Sequence, residues 1–159
     1  MAPESIRRFG YRGEVEQMFL GQSSNAIDEK GRITIPARFR ELLGDSAYVT
    51  LGLSQNLIVL PEQSFLEKAD KANAPGMTNL DANFFRELFF ANASHLEFDK
   101  AGRALIPQFL RDAAGLSNSA VVAGVGMNFE IWNPERWAKQ LARMQDPEYI
   151  AERLNRLDI

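Results

Sequence analysis

The apolar residues of this chain change period along its length, and the order of those changes occurs twice. Residues 19–27 and 91–98 read as short strands. Residues 32–35 and 103–106 read as a second pair of extended runs, ended by Pro36 and Pro107, because the residue before a proline is held in extended geometry. The period then becomes helical. Phe39, Leu42 and Leu43 stand at i, i+3 and i+4, with Arg38 and Glu41 elsewhere on the wheel and Gly44 placed as a C-terminal cap. Phe109, Leu110, Ala113 and Ala114 before Gly115 repeat that plan. Each helix is expected to start at its proline, where the absent N–H costs nothing.

Residues 47–51 with 57–60, and 120–123 with 129–132, predict two hairpins, each joined by a turn containing Gly and Asn. A helix should close each half. The second has the clearer start, with Asn133 as N-cap, Pro134 in the first turn, and Trp137, Leu141 and Met144 on its apolar side. Between the halves, Asn73, Pro75, Gly76 and Asn79 mark a loop, and residues 80–90 predict a helix that turns Phe84, Phe85, Leu88 and Phe89 inward. From Asp146 onward, Tyr149, Ile150, Leu154 and Leu157 among charges predict one more amphipathic helix, lying on the body or on a neighbouring subunit.

The doubled pattern reflects a doubled sequence. Asp28-Glu29-Lys30-Gly31-Arg32-Ile33-Thr34-Ile35-Pro36 returns 71 positions later as Asp99-Lys100-Ala101-Gly102-Arg103-Ala104-Leu105-Ile106-Pro107. Phe19 matches Phe90 and Gly44 matches Gly115 at the same offset; Val49, Gly52, Asn56, Val59 and Phe65 meet Val121, Gly124, Asn128, Ile131 and Trp137 one residue further on. Solenoid units run roughly 20 to 50 residues, so a period near 70 points instead to two pseudo-symmetric halves of one domain.

Composition narrows the function classes. At 159 residues and 45% apolar content the chain can fill an ordinary core. It has no cysteine, which removes disulfides, thiolate metal sites and a cysteine nucleophile together. No run of about 18 apolar residues would span a bilayer, and the first 16 residues hold Arg7, Arg8 and Arg12 without an apolar stretch. A cytoplasmic protein is the expectation. The net charge of −3 lacks the basic signature of a nucleic-acid binder, so any such contact must come from local clusters. Lys30, Arg32, Arg38 and Arg40 form one, and Lys100, Arg103 and Arg111 form a weaker counterpart.

The repeated motif is first a turn. Gly31 and Gly102 supply the positive φ that a tight turn needs, and Asp28 and Asp99 can bond neighbouring backbone N–H groups. Two readings of the arginines stay open. Arg32 and Arg103 could be two guanidinium groups on one surface, suited to phosphates and to the guanine edge; or they could pair with Asp28 and Asp99 to staple the turns. A carboxylate dyad of the aspartic-protease kind is disfavoured, since flanking Lys and Arg would keep both aspartates ionised. His95, the single histidine, reads as a half-buried packing residue, and Gly124-Val125-Gly126 lacks the third glycine of a dinucleotide loop. No enzyme activity, metal or cofactor is expected, nor a small-molecule substrate.

The run from Met18-Phe19-Leu20-Gly21 through residues 25–40 resembles the bacterial MraZ family, and the likeness extends from Met18 over nearly all the chain, both motif copies included. The resemblance implies an α+β fold: a swapped-hairpin, AbrB-like β-barrel of two pseudo-symmetric repeats. Short helices would follow each repeat's second strand and lie between and after the repeats. It implies a transcriptional regulator, a repressor of its own division and cell-wall gene cluster, binding tandem G-rich promoter repeats in double-stranded DNA as a ring-shaped homo-oligomer associated with the nucleoid. The DNA-contacting turn maps onto Lys30, Arg32 and Arg103, with Lys100 and Arg38 as phosphate contacts and Asp28, Gly31, Asp99 and Gly102 shaping the turns. The repeats would cover 18–72 and 90–145, with a linker and helix at 73–89 and a helical tail at 146–159. Residues 1–17 form an extension expected to be a basic arm, disordered, or an artefact of the chosen start codon. Ala101 and Ala104 replace Lys30 and Ile33 in the second copy, so the halves are expected to contribute unequally. The competing reading is a ring scaffold whose arginine turns meet an acidic protein partner.

Overall fold

The computed structural model describes residues 15–76 and 78–159; the expected extension at 1–17 therefore lies almost wholly outside the described residues. Among the described residues, eight strands and six α-helices make up an α+β arrangement. In the first repeat β1 (Gln22–Ala26) and β2 (Arg32–Thr34) lead into α1 (Ala37–Leu43), then β3 (Ala47–Leu51), β4 (Leu57–Pro61) and α2 (Glu62–Asn73). Helix α3 (Leu80–Phe90) bridges to the second repeat: β5 (Ser94–Leu96), β6 (Arg103–Leu105), α4 (Gln108–Ala114), β7 (Ser119–Gly124), β8 (Phe129–Trp132) and α5 (Pro134–Met144). Helix α6 (Pro147–Leu154) follows.

The repeats are interleaved rather than placed side by side. A six-stranded sheet runs β1-β7-β8-β4-β3-β5, and β2 pairs with β6 in a separate two-stranded sheet. Thus β1 finds its partner in the second repeat and β5 finds its partner in the first, both antiparallel. The six-stranded sheet is open. Its two edges are tied to the small sheet by single bridges, Ile27 with Ile33 and Phe98 with Ala104, so the hydrogen bonding does not run as one closed barrel.

Packing explains this topology. Ile33, Ile35 and Leu57 of the first repeat and Ile106, Leu110, Phe129 and Ile131 of the second lie in one core, fully buried; each such side chain contributes about 1.5–3 kcal/mol. Phe19, Phe39 and Phe129 meet at ring distances of 5.1 to 5.4 Å and join the two halves. Strand β7 is buried on both faces. Ala120 and Val122 point to this core, while Val121 and Ala123 pack with Trp132 and Trp137 under α5.

Several expectations shift in detail. Pro36 and Pro107 keep extended ψ values of 138° and 145° and act as N-caps, so α1 and α4 start one residue later than expected. Each proline carbonyl still accepts the first intrahelical bond, from Arg40 and Arg111. In α3 the inward edge is rotated: Phe85, Phe89 and Phe90 join the aromatic stack with Phe65, whereas Phe84 is exposed. Met144 is also exposed, at the last turn of α5. His95 sits on edge strand β5, where its side faces solvent, so it is exposed rather than half-buried; its ring meets Tyr48 edge-on.

Candidate nucleic-acid interface

The two Asp-x-x-Gly-Arg turns are built alike, bond for bond. In the first, Asp28 Oδ1 accepts from the backbone N–H of Lys30 and of Arg32 at 3.0 and 2.9 Å, and Oδ2 accepts from Arg32 Nε at 2.8 Å. In the second, Asp99 Oδ1 accepts from Ala101 and Arg103 N–H at 2.9 and 3.0 Å, and Oδ2 from Arg103 Nε at 2.9 Å. The backbone bonds accepted from Arg32 and from Arg103 are the foremost reason that both carboxyls are held below their ordinary value of 3.8, although desolvation pulls the other way. Both aspartates therefore stay charged as turn builders.

Antiparallel pairing of β2 with β6, Arg32 opposite Leu105 and Thr34 opposite Arg103, brings the two turns together. Arg103 Nη1 reaches Asp28 Oδ2 at 3.4 Å, and Arg32 Nη1 lies 3.7 Å from Asp99 Oδ2. The result is a charge-balanced quartet in which each arginine is shared between the aspartates of both repeats. Pairing with aspartate, one of the two readings open from sequence, is thus realised across the pseudo-dyad as well as within each turn. The two arginine side chains are nonetheless about one-third exposed, at 29% for Arg32 and 34% for Arg103.

A second pair of arginines, present in the sequence clusters but not assigned a role there, completes the arrangement. Arg40 Nε donates to the Ile35 carbonyl at 3.1 Å, and its guanidinium lies over Gly102 of the other repeat. Arg111 Nε donates to Ile106 at 2.9 Å and covers Gly31 in the same way. Both glycines have positive φ, +85° at Gly31 and +76° at Gly102, and both carbonyls accept cross-repeat bonds, from Ile106 and Ile35. Glycine is therefore needed twice over, for the backbone region and for the arginine that lies on it. The signal for Arg40 and Arg111 was their recurrence at the same 71-residue offset, four residues after each proline.

The remaining residues divide. Lys30 and Lys100 are exposed at the turn tips, and among the described residues their side chains have no partner. Arg38 is not gathered into the quartet. It lies on the exposed face of α1, bound to Glu41 at 3.4 Å and to the Glu16 carbonyl, and its counterpart in the second repeat is Phe109. Across both turns and the two clamping arginines, six cations (Lys30, Arg32, Arg40, Lys100, Arg103, Arg111) face three carboxylates (Asp28, Glu29, Asp99). This face is locally positive on a chain whose net charge is −3.

Comparison with known proteins agrees with the doubled architecture. The family model described as "MraZ protein, putative antitoxin-like" matches twice, over residues 18–87 and 89–157. A protein of Thermomicrobium roseum named transcriptional regulator MraZ is 44% identical over 139 residues, covering 86% of this chain and 97% of that protein. One of the same name from Carboxydothermus hydrogenoformans is 44% identical over 138 residues, 86% of this chain and 96% of that protein. Another, from Heliobacterium modesticaldum, is 40% identical over 144 residues, 89% of this chain and 100% of that protein. With both repeats matched and the likeness running the length of its relatives, the chain belongs to the MraZ family.

Proposed function

We propose that this protein is a transcriptional regulator that binds double-stranded DNA through the paired turns of its two repeats, and that it is not an enzyme. The observation that carries the reading is the joining of the turns by β2 and β6, which gathers six cations on one face of an acidic chain. A relative's name, transcriptional regulator, supports the same class. In this reading the quartet aims Arg32 and Arg103, whose outer edges stay accessible, at base edges or phosphates. Lys30 and Lys100 add phosphate contacts, and Arg38 contacts the backbone further along α1. Bidentate arginine contacts to guanine give about 1–3 kcal/mol of discrimination each.

The finer picture follows from the family resemblance: a swapped-hairpin, AbrB-like barrel, supported by the interleaved pairing and the two edge bridges, and a ring of copies in the cytoplasm on the nucleoid. That ring would engage tandem G-rich promoter repeats to repress the protein's own operon. Linked sites raise avidity by about 10²- to 10⁴-fold when spacing permits, which offsets the modest charge of a single face.

A second reading has its own observation. Arg32 and Arg103 already hold ion pairs, as they would if the turns only braced the fold or met an acidic protein. Fluorescence anisotropy on a labelled duplex of tandem G-rich repeats, against a scrambled duplex, separates the two. Lys30→Ala with Lys100→Ala removes exposed cations without touching the quartet, and Arg32→Ala and Arg103→Ala remove the readers. Selective binding that weakens on both duplexes for the lysine pair and loses selectivity for the arginines, at unchanged oligomer size, is the expected result. Equal binding to both duplexes by the wild type would end the DNA-reading assignment.

A further inference from the structure

The acidic balance of the chain hides a second basic surface, on α5 and remote in sequence from both turns. Arg136, Lys139 and Arg143 stand at i, i+3 and i+7 on one helix face and line a groove floored by Trp132 and walled by Gln55. An adjoining groove shares Gln140 and Arg143 and adds Arg153 from α6, with Tyr149 between the two arginines at 5.7 and 5.4 Å from its ring centre. Four cations line these two grooves, and no carboxylate does. Among the described residues none of the four is ion-paired, whereas Arg32, Arg38 and Arg103 all are. The carboxylate nearest in sequence to the floor, Glu130, is taken by Trp132 Nε1 at 2.9 Å.

Within the stripe, Lys139 and Arg143 are like charges at i,i+4 and Arg136 and Lys139 are like charges at i,i+3, unfavourable on a helix surface; Glu135 at i,i+4 from Lys139, and the place of Arg143 in the last turn, offset this in part. The repeat architecture does not require the stripe: the matched positions of α2 are Ser64, Glu67 and Lys71. An external anion with several charges in a row would relieve the repulsion. Over seven residues a helix rises about 10.5 Å, and one DNA strand places a phosphate about every 3.4 Å along the axis, so the stripe spans about three phosphates.

We infer that the α5 face is a second DNA surface, one that contacts phosphates without regard to sequence and works beside the turn face. This rests on the DNA-binding reading above. Arg136 is steadied by its bond to the Gln55 carbonyl at 2.9 Å, Arg143 by Gln140 Oε1 at 3.3 Å and Arg153 by Tyr149 Oη at 3.0 Å, while Lys139 and Arg143 are exposed.

The test is a salt series on the full chain, with labelled G-rich and scrambled duplexes, for wild type, Lys139→Ala with Arg143→Ala, and Lys68→Ala with Lys71→Ala as a control of equal charge on α2. Each lost phosphate contact lowers the slope of log K against log salt by about 0.9. The α5 pair should therefore lose about 1.8 of slope, so that between about 50 and 200 mM salt the wild type weakens roughly 12-fold more than the variant. Affinity should fall by the same factor on both duplexes, leaving their ratio unchanged, and the control should keep the wild-type slope. An unchanged slope in the α5 pair, an equal change in the control, or a loss confined to the G-rich duplex overturns the inference. So does an α5 effect seen only with anionic vesicles or an acidic peptide. If the wild type binds neither duplex, the turn assignment falls first and this one with it; if it binds and only the α5 slope is unmoved, only this one falls.

Discussion

Replacing Gly102 by alanine, alone and together with Arg40→Ala, measures how tightly the two repeats are clamped. An L-residue at φ +76° costs about 1–2 kcal/mol in the left-handed region. The added methyl would also lie 2.6 Å from Arg40 Cζ and 2.8 Å from its Nη1, so the guanidinium must swing away. That motion forfeits the bond from Arg40 Nε to the Ile35 carbonyl, a charge-assisted bond that, half-buried, lies at the low end of its range, about 1.5 kcal/mol. Gly102→Ala should then cost about 2.5–3.5 kcal/mol, and Arg40→Ala alone about 1.5 kcal/mol. Because both changes forfeit the same bond, the double variant should cost no more than Gly102→Ala, a shortfall from additivity of about 1.5 kcal/mol. Urea unfolding at fixed protein concentration, followed by the fluorescence of Trp132 and Trp137, reads this directly. With a slope near 2 kcal/mol per molar, a loss of 3 kcal/mol moves the midpoint by about 1.5 M. Additivity within about 0.5 kcal/mol would mean that Arg40 and Gly102 do not share an interaction, and the clamp would be discarded.

Acid should loosen the quartet. Asp28 and Asp99 have folded pKa values below 3.8, so the stability they contribute is whole above that value and drains away as pH falls through the lowered range; a urea-midpoint profile from pH 7 to 2 should drop steeply there, and less steeply in Asp28→Asn. Thr50 is fully buried and its hydroxyl donates to the Phe89 carbonyl at the end of α3, so Thr50→Val should cost about 1–3 kcal/mol by calorimetry even though its volume is kept. Asn133 caps α5 through Glu135 and Arg136 N–H and also donates to the Gly115 carbonyl at 2.7 Å; Asn133→Ala should cost about 1–2 kcal/mol in the same measurement.

Much of this architecture was legible because each element carries a local rule. The bounds of α3, β3 and β8 follow from periodicity and caps, and Asn133 with Pro134 announces α5. The doubled nine-residue motif revealed the two halves. What periodicity does not encode is pairing between elements far apart in sequence. Nothing in the pattern of residues 22–26 says that they lie against 119–123, and the inward turn of Phe89 and Phe90 rather than Phe84 depends on where Phe65 sits across the gap. The turn residues were found by chemistry, Asp for the backbone N–H groups and Gly for positive φ. That the arginines are shared across repeats, and that Arg40 and Arg111 lie on the opposite turn's glycine, emerges only once β2 meets β6.

The interleaving of the strands also sets an order of events during synthesis. Ser24 pairs with Val121 and Ile33 with Ala104, so β1 and β2 leave the ribosome with no strand ladder to join, and only the β3–β4 hairpin of the first repeat can close at once. At roughly 5–20 residues per second, the nascent chain waits several seconds or more for β7. During that interval the edges of β1 and β2 and the apolar side chains of Ile33 and Ile35 are uncovered. A second nascent chain at the same stage offers β2 and β3, the first-repeat equivalents of the missing β6 and β7, which makes a polysome translating this message the place where exchange of repeats between chains competes most directly with folding within one.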